Sequence, residues 1–229
     1  MMRRLREWLL ENKVFFETLV ALLLGAMAII LSLGSLENSR LQTRIQQAQA
    51  QPIFVIQAEY VLNPDSQKYE DIVFRIRNTG QPLKSFSNTV HSFLIVNRTL
   101  EPKSGATIPI VGYLPTNFPT GDATGLLWTL KGGHNNAAVF DLARQIALLT
   151  QNQADYFGLQ TLNIFEMQYL DLLGEKHQVF YRVDEFGGSP MEDNQANQLM
   201  ALEKSHFPVE LSTIHAEDLL KQAGFVTKP

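Results

Sequence analysis

The chain contains no cysteine. Disulfides, thiolate metal sites and cysteine nucleophiles are thereby excluded. The compartment is not decided, because cysteine-free domains occur on both sides of a membrane. Motifs for common chemistries are also missing. No H-E-x-x-H, G-x-S-x-G, Walker A or G-x-G-x-x-G occurs, so no zincin, hydrolase-elbow, P-loop or dinucleotide signature is met. None of His91, His134, His177, His206 and His215 lies three or four residues from another histidine, and no metal or cofactor is expected. Asp184, Glu185, Glu192 and Asp193 lack the alternating spacing of a calcium loop. Positive charge is scarce in the C-terminal part. Residues 52–229 hold 13 basic and 19 acidic side chains, a balance of −6, which argues against general electrostatic binding of nucleic acid.

Charge of either sign is absent from the nineteen residues Thr18–Leu36. As a helix this run spans roughly 28 Å, close to the hydrocarbon thickness of a bilayer. It is too long for the apolar core of a cleaved signal peptide and has no polar face of the kind a soluble helix shows. We therefore expect a transmembrane helix over 14–36. Residues 1–13, with Trp8 among charges, form an interfacial lead-in. Arg3, Arg4, Arg6 and Lys13 precede the span; Arg40 and Arg44 follow it before Pro52. That asymmetry favours a cytoplasmic N-terminus and a C-terminal domain outside the cell membrane.

Within the span, Ala21, Gly25, Ala28, Ser32 and Ser35 follow one another at spacings of 4, 3, 4 and 3. Small residues on one seam let helices approach closely in lipid, which predicts a homo-oligomer. Residues 37–51 hold no Gly or Pro and extend the helix as a stalk, with Leu41, Ile45 and Ala48 as a second short seam. Pro52 ends it.

Beyond Pro52 the period changes to two. Ile72, Phe74 and Ile76 alternate with Val73, Arg75 and Arg77. Strands are expected at Ile53–Leu62, Asp71–Asn78, Ser85–Asn97, Thr107–Leu114, Thr124–Leu130, Gln160–Leu170 and His177–Val183, divided by turn clusters. Val139, Leu142, Ala143, Ile146 and Leu149 mark a helix over Asn136–Thr150, capped by Asn135 or Asn136. Ser189-Pro190 opens a further helix to about Ser205, and Thr213–Ala223 reads as another. The fold expected is mainly β: a β-sandwich over 52–185, with accessory helices including a C-terminal helical segment over 186–229.

Phe74-x-Ile76-x-Asn78-x-Gly80 runs a strand into a tight turn, and Tyr169-x-Asp171-x-x-Gly174 with Tyr181-x-Val183 makes an aromatic hairpin. Both resemble patterns of bacterial immunoglobulin-like modules. The whole order, with a Gln-rich stalk ending at Gln51-Pro52, resembles a type of bacterial single-span membrane protein over roughly residues 15–190. The resemblance implies an immunoglobulin-like sandwich on a stalk and supplies no catalytic residue.

The loop Lys131-Gly132-Gly133-His134-Asn135-Asn136 is Gly-rich, carries a cation and leads into a helix N-terminus, so Lys131, His134 and Asn135 are candidate anion contacts. The plainer reading is a strand-to-helix turn. Arg75 and Arg77 are candidate ligand contacts on one strand face, for which a solvated face of an edge or outer strand is the more usual explanation. The reading that follows is a membrane-anchored, homo-oligomeric binding or sensor protein, not an enzyme, with an unidentified protein or small ligand as partner. A rival is an oligomeric channel or membrane-disrupting effector resembling those of bacterial phage defence. That reading requires the reverse orientation, with a cytoplasmic sensor domain and Ser32 and Ser35 facing a pore. A third is an extracytoplasmic enzyme whose triad is assembled only in space.

Overall fold

The computed structural model describes Trp8 and residues 12–49, 51–98, 105–151 and 156–225. Most of the expected lead-in lies outside these residues, as does Thr99, which would complete an Asn97-Arg98-Thr99 sequon. The chain divides into two compact units, Met1–Ala50 and Gln51–Pro229.

The described part of the first unit is dominated by the helix α1 (Lys13–Gln49), of 37 residues. At 1.5 Å per residue it is about 55 Å long, so the apolar run and the stalk form one unbroken rod. It is long and apolar enough to cross a membrane: its 18-residue window reaches a mean hydropathy of 2.5. Thr18 returns its hydroxyl to the Val14 carbonyl at 2.8 Å, which satisfies that donor without a partner helix. Lys13 and Glu17 pair at 3.7 Å, one turn apart.

The second unit is mainly β. Its elements are β1 (Phe54–Asn63), β2 (Lys68–Asn78), β3 (Ser85–Arg98), β4 (Ala106–Val111), β5 (Thr116–Pro119), β6 (Gly125–Lys131), α2 (Asn135–Thr150), β7 (Phe157–Leu170), β8 (Lys176–Asp184), β9 (Gly187–Met191), α3 (Asp193–Ser205), β10 (Val209–Glu210) and α4 (Ala216–Gln222). Sheet I has the order β1-β2-β6-β5; sheet II has β10-β4-β3-β7-β8-β9. All pairings are antiparallel except β10 with β4.

The core follows from the pleat, which sends successive side chains to opposite faces. Phe54, Ile56, Ile72, Phe74 and Ile76 of sheet I pack with Phe165, Met167 and Val183 of sheet II. Phe74 meets Phe165 edge-on, with centroids 5.7 Å apart at 85°. Each such fully buried side chain contributes roughly 1.5–3 kcal/mol. Neighbouring residues of sheet II point the other way: Phe93, Leu162, Ile164 and Phe180 pack beneath Ala196, Leu199 and Met200 of α3. Leu94, Val96, Ile108 and Ile110 pack with Leu142 and Ile146 of α2 and Leu219 and Leu220 of α4. Sheet II is thus the central layer, with α3 alone on one face and sheet I, α2 and α4 on the other.

Two expectations change. The helix expected to open at Ser189-Pro190 opens at Asp193, because Gly187–Met191 pairs with β8, placing Pro190 opposite Tyr181. β9 is the last strand of sheet II, and an edge tolerates the missing proline N–H. The segment 186–229 is accordingly not purely helical: β9 and β10 both join sheet II.

Candidate functional site

The face of sheet II that carries α3 is only partly covered. The strand register places Ser85 beside Leu170 and Ser87 beside Gln168, then Gln168 beside Gln178 and Leu170 beside Lys176. These residues share the α3 face but lie beyond the helix. They form a groove of about 400 Å³ lined by Ser85, Ser87, Gln168, Lys176, His177 and Gln178 among others. Three adjacent long strands supply its floor, so its polar groups stand on rigid backbone.

Glu166 ties this floor together. Its Oε1 accepts from Gln168 Nε2 at 2.7 Å and Gln178 Nε2 at 3.1 Å. Its Oε2 faces His91 Nε2 at 3.3 Å, and His91 Nδ1 faces Glu203 Oε2 of α3 at 2.7 Å. A neutral imidazole has one N–H and can donate to only one of these carboxylates; the imidazolium donates to both. A continuous polar chain therefore runs from the groove floor to the last turn of α3.

At the other end stands the β7–β8 turn. Asp171 accepts the Glu175 N–H on Oδ1 at 2.9 Å and bonds His177 Nε2 through Oδ2 at 2.8 Å. The His177 ring stacks on Tyr169, with centroids 4.9 Å apart at 20°. Gly174 makes the turn at φ +88°, a conformation that disfavours any other residue. The hydrogen bond from His177, with help from the Glu175 N–H, holds the Asp171 carboxyl below the usual carboxylate range. One ligating atom each from Asp171, Glu175 and His177 lies within 4.8 Å of the other two, so these three could hold a metal ion.

The residues singled out from sequence lie elsewhere. Arg75 and Arg77 stand on the outer face of sheet I, where Arg75 pairs with Glu59. Register brings Lys131 to the same face, opposite Val73, with Thr129 opposite Arg75. The Lys131 ammonium lies 6.0 Å from the Phe118 ring centroid. The rest of that loop turns away. His134 sits 3.7 Å from the Glu70 carboxylate. Asn135 spends its amide on the Gly112 and Tyr113 carbonyls, both at 2.7 Å, and Asn136 donates to Tyr69 O at 2.9 Å. Neither asparagine is the cap residue; His134 holds that position without a side-chain bond. The loop is built as a strand-to-helix junction whose asparagines brace neighbouring turns.

On α1, Ala21, Gly25, Ala28, Ser32 and Ser35 are exposed. At 100° per residue they fall within an arc of about 80°. Leu41 and Ile45 are exposed too; Ala48 is in the helix, and its side chain is outside what is described. Because α1 is continuous, the positions of Leu41 and Ile45 lie about 200–240° around the helix axis from Ala21. The two seams therefore face opposite ways and do not form one stripe.

Comparison of the chain with protein-family models, curated proteins and solved structures finds no match. What the protein does is therefore argued from its geometry. Sequence reading missed Glu166, Gln168, Gln178 and the His91 network, whose partners lie 75 and 112 residues apart. It met Asp171 and Gly174 as turn residues, while the signal for a shared site was the D-x-x-x-E-x-H spacing across a tight hairpin.

Proposed function

We propose that the protein is a single-pass membrane protein whose two-sheet domain is a binding module, with the groove on sheet II as its ligand surface. The observation that carries this reading is the partly bare α3 face. There Ser85, Ser87, Gln168 and Gln178 present hydroxyls and amides on rigid strands, while hydrophobic packing covers the adjoining half of the same face. Hydroxyls, amides and the Lys176 ammonium suit a polar ligand rich in hydrogen-bond acceptors. Two facing sheets with an aromatic hairpin support kinship with immunoglobulin-like modules, which is part of the proposal. So is self-association through the small-residue face of α1, because small residues on one face let helices approach closely in lipid.

Orientation is tested with single cysteines at the exposed Ser66 and Ser189, labelled in intact cells by an impermeant maleimide. Labelling without lysis supports an anchored binding domain outside the cell. Labelling only after lysis favours the channel reading with a cytoplasmic sensor, which the uninterrupted rod from span to stalk also suits. The groove itself is tested with a photo-crosslinking residue at Ser87 against the same residue at Ser66. If both positions capture the same species, or neither captures any, the groove is not the ligand surface.

A further inference from the structure

The hairpin joining β7 and β8 ends in two carboxylates and an imidazole that converge. Asp171 Oδ2 and His177 Nε2 are 2.8 Å apart, and a ligating atom of Glu175 lies within 4.8 Å of both. A zinc-class ion, with bonds of about 2.0–2.2 Å in tetrahedral geometry, holds its ligand atoms roughly 3.3–3.6 Å apart. Reaching that spacing takes a parting of less than about 1 Å at the Asp171–His177 pair and a rotation of the exposed Glu175. Two donors are already aimed. The Glu175 N–H fixes the Asp171 carboxylate, and stacking on Tyr169 fixes the His177 ring. Supporting bonds of this kind orient metal ligands. His177 stands in β8 between the groove residues Lys176 and Gln178, with its ring on the opposite face of the sheet beside Tyr169 of the core.

We propose that this hairpin end is a binding site for a first-row divalent transition cation of the zinc class, ligated by His177 Nε2 and the carboxylates of Asp171 and Glu175. One imidazole with two carboxylates is a softer set than the all-oxygen sites of magnesium or calcium and suits zinc. Three protein ligands leave a further coordination position for water or a ligand atom. The inference does not rest on the groove's own ligand, so either can fail alone. Nε2 engages Asp171 in the ion-free hairpin, and a metal takes that nitrogen only without its proton. Affinity therefore falls as pH falls. The nearby cations work against the ion: Lys84, whose Nζ comes within 3.5 Å of a Cβ built on Gly174, and Lys176 beside His177.

The test is calorimetric titration of the full chain in detergent micelles with zinc chloride, repeated with cobalt(II) to read the ligand field from its visible spectrum. The expected result is one saturable site per chain, with affinity lowered at least about tenfold in His177→Ala and in Glu175→Gln. Glu175 serves the turn only through its backbone, so Glu175→Gln leaves the fold intact and carries the test if His177→Ala fails to fold. The double variant His206→Ala, His215→Ala, remote in sequence from the hairpin, is expected to bind as the parent does. Absence of saturable binding, binding unchanged in Glu175→Gln, or binding lost with His206 and His215 would overturn the proposal.

Discussion

Two buried asparagines offer a sharp test of how this domain is held together. Asn78, 2% exposed, ends β2 with all its polar capacity in use. Its Oδ1 accepts the Ile53 N–H at 3.1 Å and the Gly80 N–H at 2.9 Å. Its Nδ2 donates to Gln81 O at 2.7 Å and Ala123 O at 3.2 Å. The side chain thus pins the entry to β1, the β2 turn and the approach to β6. Asn88, 9% exposed on β3, has neither its amide nitrogen nor its oxygen bonded to any described group. Replacing Asn78 with alanine breaks four bonds worth about 0.5–1.5 kcal/mol each and leaves backbone groups to be satisfied by water. The expected loss is about 3–4 kcal/mol, from a total that for such a domain is about 5–15 kcal/mol. At about 2–4 °C per kcal/mol, the melting temperature drops by roughly 6–15 °C. Asn88→Ala removes similar volume but breaks no such bond, so it should cost less than about 1 kcal/mol. Both are read by thermal and urea unfolding of the full chain in detergent. If Asn78→Ala costs no more than Asn88→Ala, the bracket is not what stabilises this end of the sheet.

Three further outcomes are expected. His91→Ala cuts the tie from sheet II to Glu203, so amide exchange in the last turn of α3 should quicken about tenfold, equivalent to roughly 1.4 kcal/mol, while α2 is unchanged; equal quickening in both helices would mean general loosening instead. Asp171 titrates below its ordinary value in the folded chain, so its stabilising contribution is present above the unfolded value of about 3.9 and lost as pH falls through the folded one. The stability gap between parent and Asp171→Asn should accordingly be present above about pH 4 and shrink as the pH falls below it, and a gap that widens in acid would reverse the argument. Gly25→Leu with Ala28→Leu should abolish cross-linked oligomers in membranes, whereas Leu41→Ala with Ile45→Ala, on the opposite side of the rod, should leave them; the reverse pattern would move the interface to the stalk.

Features that depend on neighbours in sequence were legible. Ile72, Phe74 and Ile76 recur at every second position and are buried at 3%, 1% and 0%, because a strand's pleat can be read from its own side chains. Leu142 and Ile146 of α2 are buried at the helical spacing that named them. Val73 broke the pattern: it is buried at 3% on the face expected to be open, where register sets it between Glu59 and Lys131. Pro190 misled for a different reason. Proline suits both the first turn of a helix and an edge strand, and only the pairing of β9 with β8 selects between them. The short strand Thr116–Pro119 falls between the expected strands Thr107–Leu114 and Thr124–Leu130, in a segment read as a turn cluster, since it forms only by pairing with β6.

The candidate site was the least legible part, and the reason lies in its construction. Its floor exists only because Ser87 stands beside Gln168 and Gln168 beside Gln178, and the first of those pairings joins residues 81 positions apart. No periodicity spans that distance. Arg75, Arg77 and Lys131 attracted notice because charge stands out along a chain, yet they occupy an outer sheet face, where Arg75 and Glu59 answer each other. The groove residues are mostly uncharged, so composition hides them. What distinguishes them is the length of α3. The helix is 13 residues, about 20 Å, while β3 and β7 each run 14 residues, about 48 Å. A helix so much shorter than the strands beneath it cannot cover their whole face. The uncovered remainder is polar, as a solvent-facing surface should be, but it is also concave and cross-braced through Glu166 to the helix that stops short of it. Solvation alone accounts for the polarity and leaves the bracing unexplained, and for that reason the groove is a better starting point than the charged face of sheet I.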